Sequence, residues 1–338
     1  MSPLIGPIYI RGRCGYLNMD GVFGVEPEFE CLGEYSERLI SFRKAGKVGF
    51  LTETGSVAVE PSFDEMNSMP VFESGLAAMK ANGKMGFIEP SGTWKAKPVW
   101  DYCWNFHGEF ALVESQAGYF VMDKGGEIVT RLNAYDIRRF PNWIKDWSCF
   151  RVLLKSEDKH VGEGCLNCQG KVVFAPIHLR ITDFYNGIAG YSDTEDSNDA
   201  LYGLVELKNR ILVLPQFVGL GNFSQGLAVA ALKVGNSGWV DEYGYIDNQG
   251  KWVIQPRFSQ ASPFSEDMAL VAIGGLRNRF GELVKSQKFG FVNRQGEFVI
   301  DAIFCSGTIF KDGYAVVRKR REIIVLDKIG NTFWSGLE

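Results

Sequence analysis

Apolar and polar positions along this chain alternate over short runs that are broken by turn residues. Segment 244–258, GYIDNQGKWVIQPRF, shows the pattern most clearly. A strand through Tyr245 and Ile246 leads into Asp247-Asn248-Gln249-Gly250. The aspartate can bond the backbone ahead of it, and the glycine supplies the positive φ that such a turn needs. Residues 251–254 (KWVI) read as a second strand, which Pro256 is expected to end because proline cannot donate to a ladder. A third strand is expected over 268–272 (MALVA). No amphipathic run long enough for a helix is evident, so the predicted class is all-β.

The unit recurs. Copies start at Gly15, Gly49, Gly86, Gly164, Gly203, Gly244 and Gly290, with a degenerate copy at Phe120 and a partial one over 324–338. Six residues after each start stands a glycine: Gly21, Gly55, Gly92, Gly126, Gly170, Gly250, Gly296 or Gly330. Only Asn209 breaks the series, and asparagine is the next most tolerant of a left-handed backbone. Twelve residues after six of the starts stands a proline, as in Pro27, Pro61 and Pro256. A second element follows, opened by Phe72, Phe106, Phe184, Phe223, Phe264 or Phe310 and running F-x-x-G-L-A in its commonest form. Residues 1–338 therefore read as one tandem array without separate domains.

These residues resemble the WG-repeat family, whose units run G-[WYF]-I-D-x-x-G-K-x-V-I-x-P-x-[FY]-D and then F-S-[ED]-G-L-A-x-V. The resemblance covers nearly the whole chain and weakens over 120–136, where the leading glycine, the proline and the aromatic are lost. It implies a mainly bacterial interaction scaffold with no common catalytic residues to carry over.

Call the three strands of a unit a, b and c. In the early copies c runs into the next a through a tight turn such as Asn82-Gly83, a strong hairpin signal. Strands c, a and b then form a three-stranded antiparallel meander, too small to bury its own face, so neighbouring units must stack. Variable copy number in the family favours an open superhelix or solenoid; a closed propeller-like ring is the alternative. The glycine that starts strand a, as in Gly49, Gly86 and Gly244, marks either a neighbour's aromatic packed over it or bulge geometry.

Composition sharpens this picture in four ways. The 338 residues include 25 Phe, 12 Tyr, 8 Trp and 39 Gly, a mixture that suits strands and turns. A net charge of -4 argues against general nucleic-acid binding, which needs a basic face. No stretch approaches the ~18 apolar residues of a membrane span. Repeat sequence begins by Gly15 and the seven cysteines follow no disulfide spacing, so a cytoplasmic location with reduced thiols is expected.

The chemistry-bearing residues have plain structural readings. No nucleophile elbow, zincin, phosphate-loop or dinucleotide motif is present. Glu89, Asp123, Glu206, Asp247 and Asp327 form a ladder of acids, but the a-to-b turn accounts for them. Cys165 and Cys168 with His160 and His178 nearby could hold zinc. A zinc ribbon needs a second knuckle, however, and Cys165 fills the aromatic slot of strand a. No metal or cofactor is expected. The cationic run 318–321 falls at a hairpin tip.

The c-to-a loops differ from the rest of the unit. They are short at 43–48, 80–85, 114–119 and 318–322, and long in four successive copies at 155–163, 190–201, 233–243 and 274–288. Lengthened loops on one face of a repeat protein often form its binding face, although surface loops also tolerate insertion cheaply. The second long loop is acidic, with Asp193, Glu195, Asp196 and Asp199. The fourth is basic, with Arg277, Arg279, Lys285 and Lys288. An insertion at 135–147 adds Arg138, Arg139, Trp143 and Trp147, residue types common at interface hot spots. The expected function is therefore non-enzymatic binding of another protein, in a sharper form neutralisation of it, as an immunity protein does a toxin. The alternatives are an enzyme with an unrecognised groove site and a self-assembling architectural protein. A buried carboxylate beside His107 or His178 would favour the enzyme.

Overall fold

The computed structural model describes residues 4–18, 20–132, 149–155, 161–194, 200–233, 241–275 and 286–337. The described residues are strands and turns with no helix, arranged as nine small antiparallel sheets. In chain order the sheets occupy 4–29, 32–64, 77–100, 102–132, 149–178, 180–217, 219–258, 260–304 and 306–337. The all-β expectation holds, and so does the c-a-b meander. In the eighth sheet, for example, Ala269–Ile273 pairs with Lys288–Val292, which pairs with Phe298–Phe304.

Two features of the unit differ from the expectation. Six of the nine sheets carry a fourth, leading strand on the free edge of c. In the eighth sheet it is Gln260–Ala261, opposite Ala272 and Val271. Two residues are too few to show alternation in sequence, and this strand exists because the chain leaves b and steps straight onto the next c. The second correction concerns proline. Strand b does not end there: Trp252–Phe258 passes through Pro256. Tyr243 faces Phe258 and Tyr245 faces Ile254, so extra residues of b bulge out opposite Gly244. Proline is tolerated because b is an edge strand and its missing donor falls in a bulge.

The bulge also settles the glycine that starts strand a. A Cβ on Gly244 would overlap the Ile254 carbonyl oxygen and come within 2.8 Å of the Pro256 nitrogen. Gly15, Gly49, Gly203 and Gly290 meet the same backbone obstruction. Of the two readings open from sequence, bulge geometry is the right one. An aromatic comes close only at Gly203, where the Tyr191 ring adds to the backbone contact.

The a-to-b turns follow the expected chemistry. All eight glycines have positive φ, from 75° at Gly250 to 90° at Gly126, and Asn209 sits at 59°. The Asp247 carboxylate accepts from the backbone N–H groups of Gln249 (2.8 Å) and Lys251 (2.9 Å). Asn18, Asn167, Asn293 and Asp327 do the same in their turns. These turn glycines are not equivalent, however. A Cβ on Gly250 would come within 2.7 Å of a Val213 methyl in the preceding sheet, whereas one on Gly55 meets nothing closer than 3.7 Å. Both alanine variants carry the left-handed penalty of about 1–2 kcal/mol. Gly250→Ala should add an overpacking cost of about 1–3 kcal/mol. Chemical denaturation of the two variants reads the difference; equal losses would remove the inter-sheet contact from the explanation.

The core lies between sheets. Nine buried clusters are found among the described residues, and each spans one joint. At the joint of the seventh and eighth sheets the Phe264 ring packs against Tyr245 at a tilt of 60°, with ring centroids 4.7 Å apart. Phe50–Phe72, Phe87–Phe106 and Phe291–Phe310 repeat this contact at the same distance. The phenylalanine of F-x-x-G-L-A is thus a plug into the preceding sheet. In the fifth sheet the slot residue is Cys165, and Phe174 on strand b takes its place against Phe184 at 5.0 Å.

Hydrogen bonds add to these joints. The hydroxyls of Ser36, Ser224 and Ser265 donate to the carbonyls of Phe72, Phe264 and Phe310 one sheet further on, at 2.6–2.7 Å. The next residue accepts from the following turn: Glu37 from Gly75 N–H at 2.9 Å and Glu266 from Gly313 N–H at 3.0 Å. The last of the nine clusters joins Ile323 and Val325 of the ninth sheet to Ile5, Ile8 and Leu17 of the first.

Candidate functional site

In a complete sheet the leading strand, c, a and b follow one another antiparallel. The leading-to-c and a-to-b turns therefore lie at one end. The c-to-a loops and the links from b to the next sheet lie at the other. The four long loops are rooted at that second end: at Lys155 and Val161, beyond Ser192 and before Tyr202, at Lys233 and Asp241, and at Ile273 and Lys288. Segment 133–148 leaves the fourth sheet after Leu132, also at this end. Five successive sheets thus bring together the origins of every segment that the sequence marks for binding. The sequence does not show this for the insertion, because its placement depends on b continuing past its bulge.

Of the candidate residues, Glu195, Asp196, Asp199, Arg277, Arg279, Lys285, Arg138, Arg139, Trp143 and Trp147 lie outside the described residues, as does His160. Lys288 opens strand a of the eighth sheet, half-buried and opposite Ile273. Asp193 has a structural task. Its carboxylate accepts from Nδ1 of His178 (3.0 Å) and from the Leu179 N–H (3.2 Å). Arg180 donates to the Thr194 carbonyl at 2.6 Å. The base of the acidic loop is thereby tied across the joint of the fifth and sixth sheets.

His178 is buried, with the Tyr191 ring 4.4 Å away and the Phe174 ring at 6.1 Å. Its Nδ1 is held by Asp193, and Nε2 is buried without a hydrogen-bond partner among the described residues. His107 sits at the opposite end, where Nδ1 meets Glu73 of the preceding sheet at 2.9 Å. Both histidines thus have a carboxylate partner, but Glu73 and Asp193 are exposed and neither pair is the buried cluster that would favour an enzyme.

The remaining candidates take structural positions. Cys165 is fully buried between Phe174, Phe184 and Tyr191. Among the described residues no three His, Cys, Asp or Glu side chains converge on one point. Residues 318–321 form the expected hairpin tip, with Lys319 opposite Glu322. The acids of the a-to-b turns serve those turns, and Glu206 also holds Arg210 at 2.6 Å. Cys14, Cys31, Cys103, Cys168 and Cys305 carry free thiols. Burial pushes the Cys14 thiol up to about 11 and that of Cys103 well above its usual value. Only the thiolate is the nucleophile. Cys305, which is exposed, should therefore be alkylated first in the native protein, while Cys14 and Cys103 react only after unfolding. Timed iodoacetamide labelling with peptide mapping checks this; native labelling of Cys103 would contradict the packing described.

No curated protein sequence matches the chain. The crystal structure of a eukaryotic initiation factor overlays on it with a TM-score of 0.66 at 12% identity, covering 96% of this chain and 93% of that one. Puromycin hydrolase overlays at 0.44 with 12% identity, covering 90% of this chain and 53% of its own. The WD40 domain of Neurospora crassa Pan2 overlays at 0.31 with 11% identity, covering 80% and 78%. The first likeness is one of fold, and the other two are too loose to argue from. No described helix is long and apolar enough to cross a membrane. The profile of the WG containing repeat matches residues 49–84, 85–116, 202–235, 243–276 and 289–321, together half of the chain. This protein belongs to the WG containing repeat family.

Proposed function

We propose that the chain closes into a ring of nine sheets and binds another protein at its loop-bearing end, without catalysing a reaction. The packing of the first sheet on the ninth supports the ring. Phe23 meets Trp334 edge-on at 6.0 Å, as Trp94 meets Phe63 at 5.4 Å and Trp252 meets Phe217 at 5.6 Å in ordinary joints. The turn glycine Gly21 lies against Phe333, as Gly330 lies against Ile300.

The binding reading is carried by one observation: the four long loops and segment 133–148 originate at one end of five successive sheets. Drift in loop length has no reason to cluster in neighbouring sheets, whereas a partner covering one sector of the ring would select it. The test removes 195–199 and 277–285 and leaves Asp193 and Lys288 in place, so that the loop bases stay anchored. Capture of a stoichiometric partner from the source cell by the parent protein, and its loss with the trimmed variant at unchanged melting temperature, is the expected outcome. Equal capture by both would place the binding surface elsewhere. Inhibition of the captured partner's own activity would identify the neutralising form.

One observation favours the enzyme instead. A histidine held by a carboxylate with its second nitrogen bare is the arrangement of a general base. The Nε2 atom of His178 is buried, however, and the pair also anchors a loop. Acylation by diethyl pyrocarbonate separates the two. A packed His178 stays unmodified in the native protein, and rapid modification would support a substrate-accessible base.

A further inference from the structure

At the end opposite the long loops, the turn before strand c lies beside the a-to-b turn of the same sheet. In three sheets an ion pair bridges the two turns: Arg38 to Glu53 at 3.0 Å, Glu109 to Lys124 at 3.2 Å and Asp267 to Arg294 at 3.7 Å. These pairs use the same two positions of the unit, the fourth residue of the second element and the residue four after the start of a copy. In the third sheet those positions hold Gly75 and Pro90, neither with a charged side chain. A cavity of about 440 Å³ lies there instead. Its walls include Ser74, Gly75, Glu89, Pro90 and Lys95 of the third sheet and Lys124 of the fourth.

The joint of the eighth and ninth sheets shows what such a space takes. There Glu266, the third residue of its second element, reaches across the joint. Its carboxylate accepts from the Gly313 N–H at 3.0 Å and lies 2.9 Å from the Lys328 ammonium. Ser74 and Lys124 hold the positions of Glu266 and Lys328 at the joint of the third and fourth sheets. The Ser74 hydroxyl accepts a turn N–H of the next sheet, that of Gly108, at 3.0 Å. It satisfies the turn but gives Lys124 no carboxylate. Lys95 adds a second cation where the eighth sheet has Val299. Lys95 lies 4.0 Å from Glu89, and the Thr93 hydroxyl also donates to that carboxylate, at 3.3 Å.

We propose that this pocket binds the carboxylate of a ligand, held between Lys95 and Lys124 where the eighth sheet supplies its own Glu266. Bonds from an ammonium to a carboxylate are charge-assisted and about twice as strong as neutral ones. Lys124 keeps Glu109 while it binds, because an ammonium has three donors. The carboxylate belongs to a free acid or to an acidic side chain of a polypeptide, which present the same group. The pocket lies at the end opposite the long loops, so it depends neither on that binding surface nor on closure of the ring.

The probes are succinate, a blocked alanine peptide with one central glutamate, and inorganic phosphate. Each is titrated into the isotope-labelled full chain while the amide signals of Ser74, Gly75 and Gly108 are followed by NMR. Saturable shifts are expected with succinate or the peptide. Affinity should fall at least tenfold in Lys124→Met. It should vanish in Ser74→Glu, whose new carboxylate takes the ligand's place beside Lys124. That position accepts a glutamate, since Glu37 and Glu266 stand there with φ of 49° and 53°. Glu89→Gln removes the acid that competes for Lys95 and should tighten binding severalfold, a gain that misfolding cannot produce. Tighter binding of the peptide than of succinate assigns the site to a polypeptide, and the reverse to a free acid. Phosphate binding as tightly as either would overturn the carboxylate assignment. The absence of saturable shifts, or shifts unchanged in Ser74→Glu or Lys124→Met, would overturn the site.

Discussion

Gly244→Ala is expected to be among the most damaging substitutions in the chain, costing about 3 kcal/mol or more. The new methyl group would overlap the Ile254 carbonyl oxygen and crowd the Gln255 carbonyl carbon (2.9 Å) and the Pro256 nitrogen (2.8 Å). These are backbone atoms of the paired strand, held by the Tyr243–Phe258 and Tyr245–Ile254 pairs on either side of the bulge. No rotamer change can relieve the clash, so a and b must separate or the bulge must shift. Either movement disturbs Tyr245 and Phe258, both fully buried at the joint with the eighth sheet. Gly221→Ala is the control. Its Cβ would meet nothing closer than 3.7 Å, and it should stay within about 1 kcal/mol of the parent. Urea denaturation of the pair checks this. A loss below about 1 kcal/mol at Gly244 would show that the bulge can slide, and steric exclusion of a side chain would no longer explain the glycine.

Phe264→Ala is expected to cost about 3–5 kcal/mol. The ring is 1% exposed and packs with Tyr245, Ile254 and Phe258 of the preceding sheet and with Val271 and Val292 of its own. Truncation leaves a cavity between two sheets that are connected by bulged edge strands. Those sheets cannot collapse onto it without losing the Ser224 hydroxyl bond to the Phe264 carbonyl. The tilted ring pair should also show coupling. In a double-mutant cycle with Tyr245→Leu, an interaction of about 0.5–1.5 kcal/mol is expected beyond area burial. Additivity within about 0.3 kcal/mol would mean the two rings act as separate fillers rather than as a plug and its slot.

Much of the unit was legible because it is local. The Asp247-to-Gly250 turn, its copies and the c-to-a hairpins follow from side-chain bonds and φ preferences within four residues. The phenylalanine of the second element was legible as a recurrence, but its role was not, since Tyr245 lies nineteen positions before Phe264 in a different sheet. A further copy of the second element, Tyr35-Ser36-Glu37-Arg38-Leu39-Ile40, escapes a search for Phe and Gly. Yet Ser36 and Glu37 make the same inter-sheet bonds as Ser265 and Glu266. The serine after the aromatic was the available signal.

Proline was misleading for a physical reason. A missing donor shows that one ladder bond is absent, but an edge strand that bulges outward does not need that bond, and b resumes pairing at Phe258. For the candidate site, the loop lengths and their charges could be read directly from the chain. The tie of Asp193 to His178 could not, because it joins two sheets.

The sequence by itself determined the repeat, its turns, its all-β class and the positions where the unit is interrupted. Each of these depends on residue type within a few positions. Tertiary structure decided the leading strand, the close approach over Gly244, the common origin of the interrupted segments and the packing of the last sheet on the first. Each of those is a contact between strands or units, where the partner of a residue is set by how the sheets bulge and stack and not by its neighbours in the chain.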